Sequence, residues 1–251
     1  MEIVTCKDAL ELGIRSAEKC SQVIKEAINK KGTARIVLST GKSQFETLKA
    51  LVAHDIEWNK VEMFHLDEYV YLSEEHPASF RKYLKERFTN IVSLKRSYFV
   101  DGEGDLQDTI SFLNEEITKE PIDLAIVGIG ENSHIAFNDP PADFDTKHPF
   151  IIVNLDEACK NQQVREGWFS SIEEVPTQAI SMSVHQILKS KCIVSPVPYV
   201  TKAKAIKATL ESDKVSNEIP ATALKKHQNV FLYLDNDSAS LINENDVHLE
   251  V

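Results

Sequence analysis

Ile122-Asp123-Leu124-Ala125-Ile126-Val127-Gly128 is the run on which the fold turns, and Ile129-Gly130-Glu131-Asn132-Ser133-His134-Ile135-Ala136-Phe137-Asn138-Asp139-Pro140 follows it without a break. Asp123 is the one polar residue between positions 122 and 127. A strand without apolar/polar alternation is covered on both faces, as the central strand of a parallel sheet is. Gly128 and Gly130 then let the backbone bend sharply. His134 follows, with a carboxylate, Asp139, five residues on. In open parallel sheets ligands bind beyond the carboxyl ends of the strands, so this one stretch predicts both the sheet and the place of its chemistry. Histidine moves protons near neutral pH, and a nearby carboxylate can fix its tautomer. A dinucleotide fingerprint is excluded, because G-x-G-x-x-G needs glycine at 133 and that residue is Ser133.

On the N-terminal side, residues 8–31 place Leu10, Ile14, Ala17, Ile24 and Ile28 on one helical stripe, with Gly32 as the stop. Arg35 to Ser39 reads as a buried strand. A helix over 43–54 follows, with Phe45, Leu48 and Leu51/Val52 inward and Ser43-x-x-Glu46 as a capping box. Residues 61–66 form the next strand, and Pro77 opens a helix with Phe80, Leu84, Phe88 and Ile91 on its apolar face. Residues 105–118 repeat the helical pattern. On the C-terminal side, strands are predicted at 150–155, 179–184, 191–195 and 229–234, with a helix over 201–210. This alternation predicts an α/β fold: a doubly wound, mainly parallel sheet with helices on both faces, Rossmann-like. With no internal repeat or long linker, residues 1–251 read as a single domain.

Composition narrows the function classes. The chain has 251 residues, 28 Lys plus Arg against 39 Asp plus Glu, and a formal charge of −11. No basic patch suits a nucleic-acid backbone. A small anionic substrate stays open, because a local site can be positive on an acidic protein. Apolar runs fall far short of the ~20 residues of a membrane span. The first residues carry neither a basic nor an apolar leader, and Cys6, Cys20, Cys159 and Cys192 lie too far apart for a zinc motif or disulfide framework. Buried free thiols in a cytoplasmic protein are expected.

Three more segments fall just after strands or at helix starts. Ser39-Thr40-Gly41-Lys42-Ser43 lacks the first glycine of a P-loop, since Ile36 stands there. It reads either as an anion site of backbone N–H groups, Lys42 and the hydroxyls of Thr40 and Ser43, or as a plain capped helix start. His65-Leu66-Asp67-Glu68-Tyr69 offers two adjacent carboxylates as a general base, or a solvated loop. Thr201 can cap the last helix, and Lys202 in its first turn opposes the helix dipole unless an anion is present.

In this order, Ser39-Thr40-Gly41, Leu66-Asp67-Glu68-Tyr69, Gly128 to Pro140 and Lys202-Ala203-Lys204-Ala205-Ile206 resemble the glucosamine-6-phosphate deaminase family. His76-Pro77-Ala78-Ser79-Phe80, Val175 to Ile180 and Ile219 to Leu224 are similar to further family segments. The related 6-phosphogluconolactonases carry Gly-His-Thr-Ala-Ser where this chain has Ser133-His134-Ile135-Ala136-Phe137-Asn138. The resemblance implies an isomerase-deaminase acting on glucosamine 6-phosphate or galactosamine 6-phosphate, with no metal and no organic cofactor. It implies Asp67 as base, His134 as ring opener supported by Asn132 and Asp139, and a phosphate held by Thr40, Gly41, Lys42, Ser43 and Lys202. Arg165 is the nearest match to the family's phosphate arginine, one residue out of register. Ser133, Asn132 and Asp139 depart from the family's Gly, Asp and Glu. The small-molecule partner is a sugar phosphate, the family admits a homo-oligomer, and the allosteric site of the hexameric bacterial enzymes has no match after Pro140. The alternatives are a lactonase-like or other sugar-phosphate isomerase, or a non-catalytic sugar-phosphate sensor.

Overall fold

Strand pairing follows burial. The five residues Ala34–Leu38 are all buried, and so are Leu124–Ile126 and Cys192–Val197. Such strands must lie inside a sheet with both faces covered. The structure, a computed structural model, describes residues 1–242; the last nine residues of the expected domain lie outside them. The strands are β1 (Glu2–Cys6), β2 (Ala34–Leu38), β3 (Val61–His65), β4 (Asp67–Tyr69), β5 (Arg96–Tyr98), β6 (Leu124–Ile126), β7 (Phe150–Asn154), β8 (Gln178–Met182), β9 (Cys192–Val197) and β10 (Val230–Asp235). The helices are α1 (Ala9–Lys31), α2 (Phe45–Leu51), α3 (Phe80–Leu84), α4 (Leu106–Thr118), α5 (Glu157–Arg165), α6 (Val184–Ile187) and α7 (Ala203–Glu211).

Seven strands form one wholly parallel sheet in the order β1-β10-β9-β6-β2-β3-β5. The expected α/β sheet is present, with β6 at its centre and an apolar cluster on each face. One part of the expectation is corrected. Residues 150–154 and 178–182 leave that sheet and pair antiparallel with each other, and 178–182 also with β4, in a second sheet, β4-β8-β7. An apolar run states that a strand is buried, not which partner buries it. No described helix is long and apolar enough to cross a membrane.

Four local expectations also change. Ala17, Ile24 and Ile28 are buried as expected, but Leu10 and Ile14 are exposed, and α1 buries Leu12, Gly13, Ser16 and Cys20 instead. The reason is close approach: a Cβ on Gly13 would lie 2.5 Å from Glu46 Cβ, so the contact with α2 runs along small residues. The capping box does not form. A single tight turn at Lys42–Gln44 precedes α2, and Ser43 accepts a hydrogen bond from Gln44 Nε2 at 3.0 Å. Pro77 does not open α3; Ser79 caps it, accepting from the Lys82 amide. Nor does Thr201 cap α7, which starts beyond a tight turn at Val200–Lys202. Gly32 does end α1, at φ 82°, and all four cysteines are free and buried.

Candidate active site

The carboxyl ends of β2, β3, β6 and β9 face one cavity of about 430 Å³. Thr40, Gly41, Lys42 and Ser43 line it after β2, and Gly128 to Glu131 with His134 line it after β6. Thr201 and Lys202 enter after β9, and Arg165 from the end of α5. Asp67 reaches it from β4. Positions as far apart in the chain as Thr40 and Lys202 thus meet in the loops that a parallel sheet gathers at one edge.

The step from β3 to β4 decides which acidic residue faces the cavity. Leu66 bonds to both sheets, donating to Leu38 O at 3.1 Å and accepting from the Met182 amide at 2.9 Å. Alternation along β4 then sends Asp67 and Glu68 to opposite sides. Glu68 is fully buried and accepts from the amides of Tyr69, Phe80 and Arg81 and from the Ser79 hydroxyl, with Arg81 Nε at 3.4 Å. It anchors the start of α3. Asp67 is 5% exposed, and burial, reinforced by the neighbouring Glu68, holds its carboxyl well above the usual aspartate range. A carboxylate kept basic in a cavity is suited to taking a proton.

His134 is held through its ring and its backbone. Its Nδ1 lies 3.0 Å from Asp139 Oδ1, although the approach is off the ideal hydrogen-bond line. Its amide donates to Asn132 Oδ1 at 3.2 Å. Asp139 also accepts from Asn132 Nδ2 at 3.0 Å and from the Asp156 amide at 3.3 Å. Burial alone would raise the Asp139 carboxyl, but the contacts with His134, Asn132 and the Asp156 amide outweigh it and lower it. Asn132 and Asp139 therefore stand behind the histidine and do not line the cavity. The aspartate still reaches the ring despite being one methylene shorter than glutamate. Ser133, at φ 68°, occupies a left-handed position that favours glycine, and its hydroxyl donates to Ala205 O in α7 at 3.4 Å. Asn138 fastens the loop to the second sheet by donating to Met182 O at 2.8 Å.

Gly130 is required by the ring itself: a Cβ there would lie 2.2 Å from both Cε1 and Nε2 of His134. Gly130→Ala displaces the imidazole while leaving the buried sheet untouched. The expected outcome is a kcat loss of about 100-fold, the scale of an ångström misplacement, with an unchanged unfolding midpoint. Steady-state kinetics and thermal melts check it, and full activity in the variant contradicts this placement of the ring.

The positive charge sits on side chains. At seven residues α2 is too short for its dipole to dominate. Lys202 is 5% exposed, and no described side chain pairs with it; burial lowers its ammonium below the usual lysine range, with Glu166 and Glu131 working the other way. Lys42 is exposed at the rim, and Arg165 pairs with Glu131. Glu131, Gln162, Gln163, Glu166 and Tyr199 also line the cavity and were not found in the sequence. Three of them lie on or beside α5, a polar helix that offers no apolar stripe to mark which face is covered.

From residue 7 to residue 232 the sequence matches the family described as glucosamine-6-phosphate isomerases/6-phosphogluconolactonase. The chain belongs to this family. Within the family it is similar to the glucosamine-6-phosphate deaminase of Lactobacillus delbrueckii subsp. bulgaricus, 36% identical over 244 residues, covering 96% of this chain and 100% of that protein. The glucosamine-6-phosphate deaminase of Streptococcus sanguinis is 35% identical, covering 96% and 99%. A solved monomeric glucosamine-6-phosphate deaminase superposes with a TM-score of 0.88 at 29% identity, covering 96% of this chain and all of that one. A family member at 18% identity, the 6-phosphogluconolactonase of Shewanella baltica, shares the fold with a TM-score of 0.76 over 94% of this chain and 97% of its own. Likeness to the deaminases over nearly the whole length makes this an enzyme of their type.

Proposed function

We propose that the chain converts a 2-amino-2-deoxyhexose 6-phosphate, glucosamine 6-phosphate first, into the ketohexose 6-phosphate and ammonia. The observation that carries this reading is a buried lysine, Lys202, with which no described side chain pairs, in the same cavity as a buried basic carboxylate, Asp67, and a braced histidine, His134. An ammonium left unpaired in a protein interior is costly, and a substrate phosphate supplies the missing charge. Thr40, Gly41, Lys42 and Ser43 complete the grip, and Arg165 joins it by exchanging Glu131 for the phosphate.

With the phosphate fixed, the sugar ring extends toward Asp67 and His134. His134, its Nδ1 turned to Asp139, uses the other nitrogen to pass a proton to the ring oxygen and open the pyranose. Asp67 removes the proton from C2 of the open chain and delivers it to C1. This leaves an imine at C2, which water hydrolyses to the ketone with release of ammonia. Asn132 and Asp139 act through the histidine and need not touch substrate.

Ammonia release from glucosamine 6-phosphate and galactosamine 6-phosphate, measured side by side, tests the reading and ranks the two epimers. Binding of both sugars without ammonia from either overturns it in favour of a sensor. Turnover of a 6-phosphogluconolactone without ammonia from either amino sugar overturns it in favour of a lactonase.

A further inference from the structure

Cys159 lies in the first turn of α5, 1% exposed, with its thiol beside the Asp139 carboxylate. A ring nitrogen of His134, a carboxylate oxygen of Asp139 and Cys159 Sγ all lie within 4.8 Å of one another. We propose that these three side chains form a binding site for one thiophilic divalent cation of the zinc class, which silences the enzyme reversibly by taking the support of His134.

The donor set selects the ion. Hard cations such as magnesium and calcium take oxygen ligands, whereas zinc accepts nitrogen, oxygen and thiolate sulfur together. Metal–ligand lengths of about 2.0–2.3 Å place tetrahedral neighbours roughly 3.3–3.7 Å apart. The His134–Asp139 pair already stands at 3.0 Å, so the sulfur need close by only about 1 Å.

The framework around the three groups is already built. Gly130 pins the imidazole from one side. Asn132 and the Asp156 amide fix Asp139, and the Cys159 amide donates to Asp156 Oδ1 at 2.6 Å. Because His134 Nδ1 meets Asp139 off the hydrogen-bond line, a metal gives up little in displacing that contact. On binding, Cys159 becomes a thiolate and one proton leaves to solvent, with water at the fourth position. The imidazole and carboxylate are then held by the ion and withdrawn from proton transfer. The site stands whatever the sugar.

Metal-stripped protein titrated with Co²⁺ is expected to develop a thiolate-to-cobalt charge-transfer band that saturates at one ion per chain. Zn²⁺ should displace the cobalt, inhibit turnover and be reversed by a chelator, while excess Mg²⁺ does none of these. Cys159→Ser should lose the band and weaken Zn²⁺ binding by calorimetry at least 10-fold; Cys192→Ser should keep both. His134→Gln, which leaves the thiol in place, should keep a band but bind at least 10-fold more weakly, a test that holds even where Cys159→Ser fails to fold. Absence of the band in the wild type, its survival in Cys159→Ser, or unchanged affinity in His134→Gln overturns the proposal. The cobalt readout requires no substrate, so its failure is distinct from a failure of the deaminase reading.

Discussion

Asp67→Asn lowers kcat by about 10²- to 10⁴-fold, the usual contribution of a general base, while KM changes little. The amide fills the same space beside β8 and keeps the cavity wall, but it cannot accept the C2 proton. The same substitution raises stability at neutral pH. Burial and Glu68 raise the Asp67 carboxyl in the folded state, so the native protein binds that proton more tightly than the unfolded chain does. The stability Asp67 contributes is therefore fully present below the unfolded pKa, and it is lost as pH rises through the folded one. Asn carries no such loss, so the gap in unfolding midpoint between variant and wild type should widen from acid to neutral pH. A second consequence is kinetic: the acid limb of kcat/KM for the wild type should lie above the ordinary carboxylate range. A wild-type rate in Asp67→Asn removes Asp67 as the base, and equal melts at pH 7 contradict its raised carboxyl.

Lys202→Met gives the other large effect, and it divides differently. The phosphate loses its buried cation, and truncating one partner of such a pair costs about 2–5 kcal/mol, or about 30-fold to several thousand-fold in affinity. KM for the sugar phosphate and the inhibition constant of inorganic phosphate should rise together by that factor. The free protein, by contrast, should melt at a higher temperature, because an unpaired ammonium has been replaced by a side chain suited to its buried site. Inorganic phosphate should then raise the melting temperature of the wild type more than that of the variant. A variant that melts lower and binds phosphate normally would show that Lys202 serves the fold and not the ligand.

How far these roles were legible from sequence depends on what each residue needs from the rest of the chain. Gly130 and His134 are four positions apart, and their steric contact is local, so a motif can carry it. The same holds for Thr40 to Ser43, whose turn is present as expected although the expected capping box is not; Gln44, not visible as a competitor, turns its amide onto Ser43. Asp67 could be chosen over Glu68 only by resemblance, because the choice depends on which sheet β4 joins. The second sheet was not legible at all. Two of its strands, β4 and β8, are mostly buried and β7 only partly, and periodicity reports burial without naming a partner. The edge strands β1 and β5 went unseen for the opposite reason, being short and partly exposed. The cavity-facing residues of α5 were hidden because both faces of that helix are polar.

Leu66 belongs to neither sheet and hydrogen-bonds to each. The consequence is a division of labour along the seam. The groups proposed to hold phosphate ride mainly on the large sheet, while the carboxylate proposed to move the proton rides on the small one, and Asn138 ties the histidine loop to that same small sheet. A shift of the small sheet against the large one would move Asp67 relative to a phosphate that stays where it is. In a scaffold of this kind the handle of the substrate and the reaction performed on it can diverge independently, with new chemistry arising at one residue of hinge while the grip on the ester persists.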